Sequence, residues 1–206
     1  MTDYRFSRFR DAMDFVFRSE GGYTNNENDA GGETNLGVTI GTLRRAHHLG
    51  IVGHEVPKML TRKEALDIYF ELYWKPCHAY ELAPPLDYII FDIAVNCGVG
   101  RAVMILQQAL NTILVEHLKV DGKFGDKTRT AVDRIVACRM DGIVPLGLIL
   151  SSLCILERVE FYDQITDGVG STARQRQQEV KNRQFLRGWI RRTMDLYNSS
   201  MVASHG

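Results

Sequence analysis

The most constraining feature of this sequence is a helical spacing of apolar residues that runs through almost the whole chain. Phe6, Phe9, Met13, Val16 and Phe17 recur every three or four residues, which places them on one face of a first helix. The same pattern predicts helices at about 40–48, 62–74, 86–97, 101–116, 126–138, 146–164 and 174–197. Because 45% of the residues are apolar, these helices can share a sizeable core. The chain is therefore predicted to be mainly α-helical.

One stretch interrupts the helical pattern. Gly21 and Gly22 form a helix stop, and residues 23–40 are rich in Asn, Asp, Gly and Thr, the residues of turns. This stretch is predicted to form a small β-hairpin. The pattern also weakens near residues 116–125. We therefore expect one region over 1–116, a second helical region over 117–198 and a tail over 199–206.

Composition excludes several classes of protein. The formal net charge is zero, although residues 1–100 hold 10 Lys/Arg against 14 Asp/Glu and the rest hold 15 against 11, so no nucleic-acid partner is expected. The four cysteines are too widely spaced to indicate a metal site or a disulfide framework. The longest apolar stretch, 143–156, is shorter than the roughly 20 residues that a membrane helix needs. The first residues lack the apolar run of a secretory signal, so synthesis in the cytoplasm is expected.

Glu20 is the first candidate for chemistry. It continues the apolar stripe of the first helix, three residues beyond Phe17, and falls in the last turn. The negative end of the helix dipole and partial burial both disfavour a charged carboxyl, so both should raise its pKa, as a general acid requires. The alternative is a solvated charge at a frayed helix end.

Asp29 is the second candidate. It precedes Gly31 and Gly32 in the turn-rich stretch, and Thr34 follows. A carboxylic acid at a helix end that faces a carboxylate in a hairpin is the arrangement that glycoside hydrolysis requires. The alternative for Asp29 is an Asx-turn residue that only shapes the loop. The competing second carboxylates are Glu27, Glu33 and Asp92.

Several segments together resemble a known family. The sequence EGGYTNNENDAGGETNLGVT resembles the signature of glycoside hydrolase family 108, the muramidases that cut peptidoglycan. Similar segments follow in order, namely YFELYW (69–74), FDIAVNCGVGRA (91–102) and LQQALN (106–111). VDGKFGDKT (120–128) and FLRGWIRR (185–192) resemble the start and end of the family's C-terminal predicted peptidoglycan-binding region.

The resemblance implies a lysozyme-like helical fold, with the small hairpin near the active site. It implies that 1–116 is the muramidase catalytic region and that 117–198 is a helical peptidoglycan-binding-like region. It also implies cleavage of the β-1,4 bond between N-acetylmuramic acid and N-acetylglucosamine, with Glu20 as catalytic acid. A more distant similarity to phage-type lysozymes implies a water-activating Asp29 and a water-positioning Thr34, although the interval between the two is one residue shorter here.

The candidate substrate-binding residues are Tyr23, Trp74 and Asn96. Trp74, with Tyr69 and Tyr73, could stack on sugar faces, but aromatic residues at helical spacing also build cores. Asn96 lies one turn after Asp92 on an otherwise apolar helix, so a substrate contact and a purely structural hydrogen bond are both open.

The expected partner is bacterial peptidoglycan, with no cofactor and no metal, and the chain is expected to be a monomer. A phage endolysin that reaches the periplasmic wall through a holin or another export route is the favoured setting. A lytic transglycosylase and a non-catalytic peptidoglycan-binding or scaffold module are the alternatives.

The last predicted helix holds seven basic residues and one acidic residue over 174–192, with Arg183, Arg187 and Arg191 along one stripe. It is either a core helix with a solvated face or an attachment to anionic envelope polymer or lipid.

Overall fold

The computed structural model describes residues 2–19, 33–138, 145–167 and 172–203, and these are mainly helical. The α-helices are α1 Thr2–Ser19, α2 Ile40–His48, α3 Arg62–Tyr69, α4 Leu86–Cys97, α5 Val99–Ile113, α6 Asp126–Ala137, α7 Leu146–Thr166 and α8 Ala173–Ala203. A π-helical turn, Phe70–Trp74, continues α3, and 3-10 turns occupy Pro57–Met59 and Ala79–Glu81. The prediction of a mainly α-helical fold is confirmed.

The predicted hairpin lies at the end of the turn-rich stretch. Strands β1 (Thr34–Asn35) and β2 (Val38–Thr39) pair antiparallel, with Thr34 opposite Thr39. Leu36 and Gly37 form the turn with φ values of 53° and 75°, because a two-residue turn with positive φ follows the twist of the strands. The Tyr69 hydroxyl donates to the Leu36 carbonyl at 3.2 Å, and Asn35 Nδ2 donates to the Pro57 carbonyl at 2.8 Å. The hairpin is thus held against the helical part of the fold.

Side-chain caps and one glycine explain several helix ends. The Thr39 hydroxyl accepts from the backbone N–H of Thr42 and begins α2. Thr61 and Glu64 form a complete capping box at the start of α3. Gly98, with φ 89°, ends α4 and allows α5 to begin at the next residue in a new direction.

Helix α4 is the centre of the molecule. Its residues 86–94 are all buried, and it contacts α1 on the N-terminal side and α5, α7 and α8 on the C-terminal side. The core is continuous along the chain and includes Phe9, Leu43, Ile68, Ile89, Leu106, Val132, Leu150 and Leu196. Because this core crosses residue 116, the two predicted regions fold around one shared helix.

Helix α7 is apolar on most of its surface because it packs against α4, α5, α6 and α8. It includes most of the long apolar stretch noted in the sequence. In the described part of the chain, no helix combines the length and apolar character needed to cross a membrane.

All four cysteines are free thiols. Cys77 and Cys154 are buried, Cys97 is half-buried and Cys138 is exposed. Burial raises the pKa of the Cys77 thiol to about 12, so this group stays protonated and unreactive at neutral pH.

Candidate functional site

The two predicted catalytic carboxyl groups stand in the sequence between α1 and the hairpin. Helix α1 extends to Ser19, the last described residue before Glu20, and the position of Glu20 in its last turn stays a prediction. Glu20, Tyr23, Glu27 and Asp29 themselves lie outside the described residues. The structure therefore defines the two elements that flank this segment, and the roles of its carboxyl groups stay predictions.

Thr34 is the one predicted catalytic residue within the described part. It is half-buried in β1 and pairs with Thr39 across the hairpin. The carbonyl of Glu33 accepts from the backbone N–H of Ile40 at 2.9 Å, which closes the open end of the hairpin. Thr34 consequently has a fixed backbone position where the segment that contains Asp29 enters the hairpin.

Trp74 lies in the core. The side chain is 1% exposed, and its ring packs edge-to-face against Phe9 and Phe91 at centroid distances of 5.4 and 5.2 Å. Its buried Nε1 has no hydrogen-bond partner among the described residues. The ring therefore offers no accessible face to a sugar, which corrects the predicted stacking role and favours the core alternative. Tyr69 is also buried, whereas Tyr73 is half-buried.

Asn96 lies half-buried in the last turn of α4. Its Oδ1 accepts a hydrogen bond from the Tyr162 hydroxyl of α7 at 3.2 Å. This hydrogen bond within the protein favours the structural role that the sequence left open for Asn96. The same bond fixes the plane of the amide, and no described residue accepts from its Nδ2. A substrate contact through Nδ2 remains a prediction.

Asp92 is the buried centre of an ion network. Its Oδ2 accepts from Arg158 Nη1 at 2.7 Å, and its Oδ1 accepts from Arg192 Nη2 at 2.7 Å. Burial alone would raise the pKa of Asp92, but the charges and hydrogen bonds of the two guanidinium groups outweigh it and lower that pKa. Because this carboxylate is 1% exposed and engaged by two cations, the structure rules it out as a competing second catalytic carboxylate.

Arg158 is a structural partner of Asp92 that the sequence analysis missed. Its side chain is fully buried in α7, and its Nε donates to the Tyr162 hydroxyl at 2.7 Å. A signal did exist, because Arg158 is the only Lys or Arg in this apolar helix. A buried cation needs a buried anion, and Asp92 was already noted as a polar residue on an apolar helix.

Asp87 is a second buried aspartate of α4 and lies in the first turn of the helix. Its two carboxylate oxygens accept from Arg8 Nε and Nη2, each at 2.9 Å. Burial raises the pKa of Asp87 because desolvation outweighs the hydrogen bonds and the charge of Arg8.

Another ion pair joins distant parts of the chain, α6 and the 3-10 turn Ala79–Glu81. Arg129 of α6 donates through Nε to Glu81 Oε2 at 2.5 Å, and this bond is the largest cause that lowers the pKa of Glu81 to about 2. Beside it, the rings of His78 and Phe124 stack at 4.5 Å with an angle of 11° between their planes.

Among the described residues, no group of three or more His, Cys, Asp or Glu could hold a metal ion.

The comparisons with known proteins agree with the predicted family and fold. Residues 13–98 match the family model described as Glycosyl hydrolase 108, and residues 101–194 match that of a Predicted Peptidoglycan domain. A solved structure titled "Structure of Brucella abortus SagA" is 27% identical, with a TM-score of 0.71, over 96% of this chain and 95% of that one. No curated protein matches the chain. The two matched regions meet between residues 98 and 101, at the junction of α4 and α5, whereas we predicted a boundary at 116.

Proposed function

Because this chain is a glycoside hydrolase of family 108 with a predicted peptidoglycan domain behind it, we propose that it cleaves the β-1,4 bond between N-acetylmuramic acid and N-acetylglucosamine. The observation that carries the proposal is the pairing of the two matches in one lysozyme-like helical fold. The wider statement, that the chain is a peptidoglycan hydrolase, rests on the matches themselves.

Glu20 is the general acid in this proposal. It directly follows Ser19, the last described residue of α1, and a position in the last turn of that helix would favour the neutral form of the acid. A protonated carboxyl there can donate its proton to the glycosidic oxygen as the bond to the leaving sugar breaks. The match over 13–98 supports the assignment because it contains Glu20.

Asp29 activates the water that attacks the sugar, and Thr34 helps to position that water. Support for this pair comes from the hairpin, which fixes the backbone of Thr34 five residues after Asp29 in the sequence. Water activation requires carboxyl groups about 6.5–9.5 Å apart and gives a product with inverted configuration at the anomeric carbon.

The decisive experiment replaces Glu20 by Gln, which keeps the size of the side chain and removes the transferable proton. Lysis of purified walls should fall by about 100- to 10,000-fold, while thermal stability and wall binding stay at native values. Glu33→Gln is the matched control in the same part of the chain and should remain active. A folded Glu20→Gln protein with near-native lysis would refute the assignment.

The second carboxylate is tested in the same way. Asp29→Asn should be severely impaired, and Glu27→Gln should stay active, because only the former removes the group that activates water. NMR of the reducing ends during the first minutes of hydrolysis should show the inverted anomer. A retained configuration would exclude the water-activating role of Asp29.

The products separate this enzyme from its two alternatives. Hydrolysis gives reducing muramic acid ends, whereas a lytic transglycosylase gives an anhydro product that is lighter by one water. Mass spectrometry of digested walls should therefore show the heavier product. A protein that binds walls but releases no fragments would be a scaffold module.

The cellular setting of the proposal is host-cell lysis by an endolysin. A glycoside hydrolase joined to a predicted peptidoglycan domain is the combination that a wall-lysing enzyme needs. Expression in bacteria should cause lysis only when a membrane-permeabilising protein of the holin type is co-expressed. Lysis that is equally fast without the holin would contradict the dependence on this route.

A further inference from the structure

An open groove lies in the C-terminal region of the chain. It has a volume of about 750 Å³, and one wall is the chain that follows α5, while the other is α6. The lining residues are Ile113, Leu114, Val115, Glu116, His117, Leu118, Asp126, Lys127, Thr130, Ala131 and Arg134. This volume is within the range of ligand sites, which is about 300–1,000 Å³.

Two amide side chains of α5 hold the first wall in place. Asn111 bonds both backbone groups of Leu118, with its Nδ2 donating to the carbonyl at 2.9 Å and its Oδ1 accepting from the N–H at 2.7 Å. Gln107, which is 2% exposed, accepts from the N–H groups of Asp121 and Gly122, each at 3.0 Å. The motifs LQQALN and VDGKFG therefore meet, and together they fix the segment that forms the groove. A preformed wall lowers the entropic cost of binding.

One face of α6 forms the second wall. Lys127, Thr130, Ala131 and Arg134 lie at helical spacing, so two small side chains stand between two long basic ones. Lys127 and Arg134 are exposed, and neither forms an ion pair with another described residue. Asp126 is already engaged by Arg129 at 3.1 Å. The groove thus presents two uncommitted cations beside a floor of small and apolar side chains.

The chemistry of the lining points to a peptide rather than a sugar. Sugar sites commonly present aromatic rings for stacking, and the groove lining contains no Phe, Tyr or Trp. Lysine and arginine side chains recognise carboxylates by charge-assisted hydrogen bonds. Glu116 stands on the opposite wall and can meet an ammonium group. A short peptide with free carboxylates, methyl side chains and one ammonium group has this pattern.

We propose that this groove binds the peptide stem of peptidoglycan, with Lys127 and Arg134 holding its carboxylates. The proposal rests on the proposed function in one respect, namely that peptidoglycan is the polymer on which the chain acts. It assigns the glycan to the N-terminal region and the stem to the C-terminal region of one molecule.

Isothermal titration of the full chain with a soluble stem tetrapeptide (L-Ala, D-Glu, meso-diaminopimelate, D-Ala) tests the proposal. The double variant Lys127→Glu and Arg134→Glu should raise the Kd at least about tenfold, because it replaces two attractive contacts by repulsive ones. Thr130→Trp, which fills the groove without changing charge, should weaken binding to a similar extent. Lys181→Glu, an exposed reversal on α8 outside the groove, should leave the Kd unchanged.

The outcomes are separable from the hydrolase assignment. Glu20→Gln should bind the tetrapeptide as the native chain does, so loss of lysis in that variant does not affect the groove. A weakening of less than about threefold in both groove variants, with native thermal stability, would overturn the proposal. So would a tetramer of N-acetylglucosamine that binds as tightly as the tetrapeptide and is displaced by the same substitutions.

Discussion

Helix α4 buries one aspartate near each of its ends, and the two carboxylates have different numbers of cationic partners. Near its N-terminal end, Asp87 is 2% exposed and has one cationic partner, Arg8 of α1. Near its C-terminal end, Asp92 is 1% exposed and has two, Arg158 of α7 and Arg192 of α8. The pKa of Asp87 is raised mainly by burial, whereas the pKa of Asp92 is lowered despite burial.

The difference indicates how many cationic partners keep a buried carboxylate ionised in this fold. One guanidinium group, even with two hydrogen bonds, does not fully replace the water that Asp87 loses. At Asp92, two guanidinium groups compensate for the lost water, and the pKa is lowered. The N-terminal region therefore contacts α4 through apolar packing and one ion pair that does not offset the burial of Asp87, whereas two ion pairs to Asp92 join the C-terminal region to α4.

The largest expected effect comes from breaking the Asp92 end. Asp92→Asn keeps the shape of the side chain but leaves two guanidinium groups, one of them fully buried, without their anion. The free energy of unfolding at pH 7 should fall by about 3–5 kcal/mol in urea titrations. A loss below about 1 kcal/mol would show that water or another group replaces the carboxylate.

Arg192→Met converts the Asp92 end into a copy of the Asp87 end, with one cationic partner left. It removes hydrogen bonds to a charged group, so the loss should be about 1.5–3 kcal/mol. The pKa of Asp92 should then rise above its ordinary value, as that of Asp87 does. NMR titration of the carboxyl carbon would detect this change of direction, and an Asp92 pKa that stays low would contradict the two-cation explanation.

Asp87→Asn should have a smaller effect on the free energy of unfolding, within about 1 kcal/mol at pH 7, because the carboxylate there is not well compensated.

The pH dependence of stability should also differ in sign between the two aspartates. Since the pKa of Asp87 is higher in the folded state, its contribution to stability is greatest at low pH and is lost as pH rises through the folded pKa. The contribution of Asp92, whose folded pKa is lowered, is present above its unfolded pKa and is lost as pH falls through the folded value. Urea titrations from pH 3 to 7 on both Asn variants would show whether the two slopes differ.

The smallest stability effect is expected on the exposed face of α8. Arg183 has a structural role, because its Nε donates to the Thr166 carbonyl at the end of α7. Arg187 and Arg191 are exposed, and changing both to Gln should alter stability by less than about 0.5 kcal/mol. If α8 helps attachment to an anionic envelope, wall binding should weaken and lose part of its salt dependence, because such attraction is screened beyond about 8 Å at physiological ionic strength. Unchanged binding in a co-sedimentation assay would leave only the core role of α8.

Much of the helical framework could be predicted from the sequence because apolar periodicity and caps act locally. Helices α2 and α4 occupy the predicted ranges 40–48 and 86–97. The prediction for α5 was shifted by two residues at its start, because a single glycine, Gly98, lets one helix end and the next begin at once. The turns at Pro57–Met59 and Ala79–Glu81 carry too few residues to show a periodic pattern.

The candidate site was less accessible to such reasoning because it depends on contacts between distant residues. The spacing of Trp74 is equally compatible with a core and a sugar platform, and only its packing against Phe9 and Phe91 decides between them. Asp92 was noted as a polar residue in need of a partner, but its partners lie 66 and 100 positions away. The roles of Glu20 and Asp29 still depend on the sequence and on the family match.

The central position of α4 limits how this enzyme can be recombined with others. The boundary between the two family matches falls directly after α4, so a chimera built there would separate Asp92 from Arg158 and Arg192. It would also expose the apolar surface that α4 shares with α5, α7 and α8. A grafted wall-binding module would have to retain these three helices, because they cover part of the buried surface of α4.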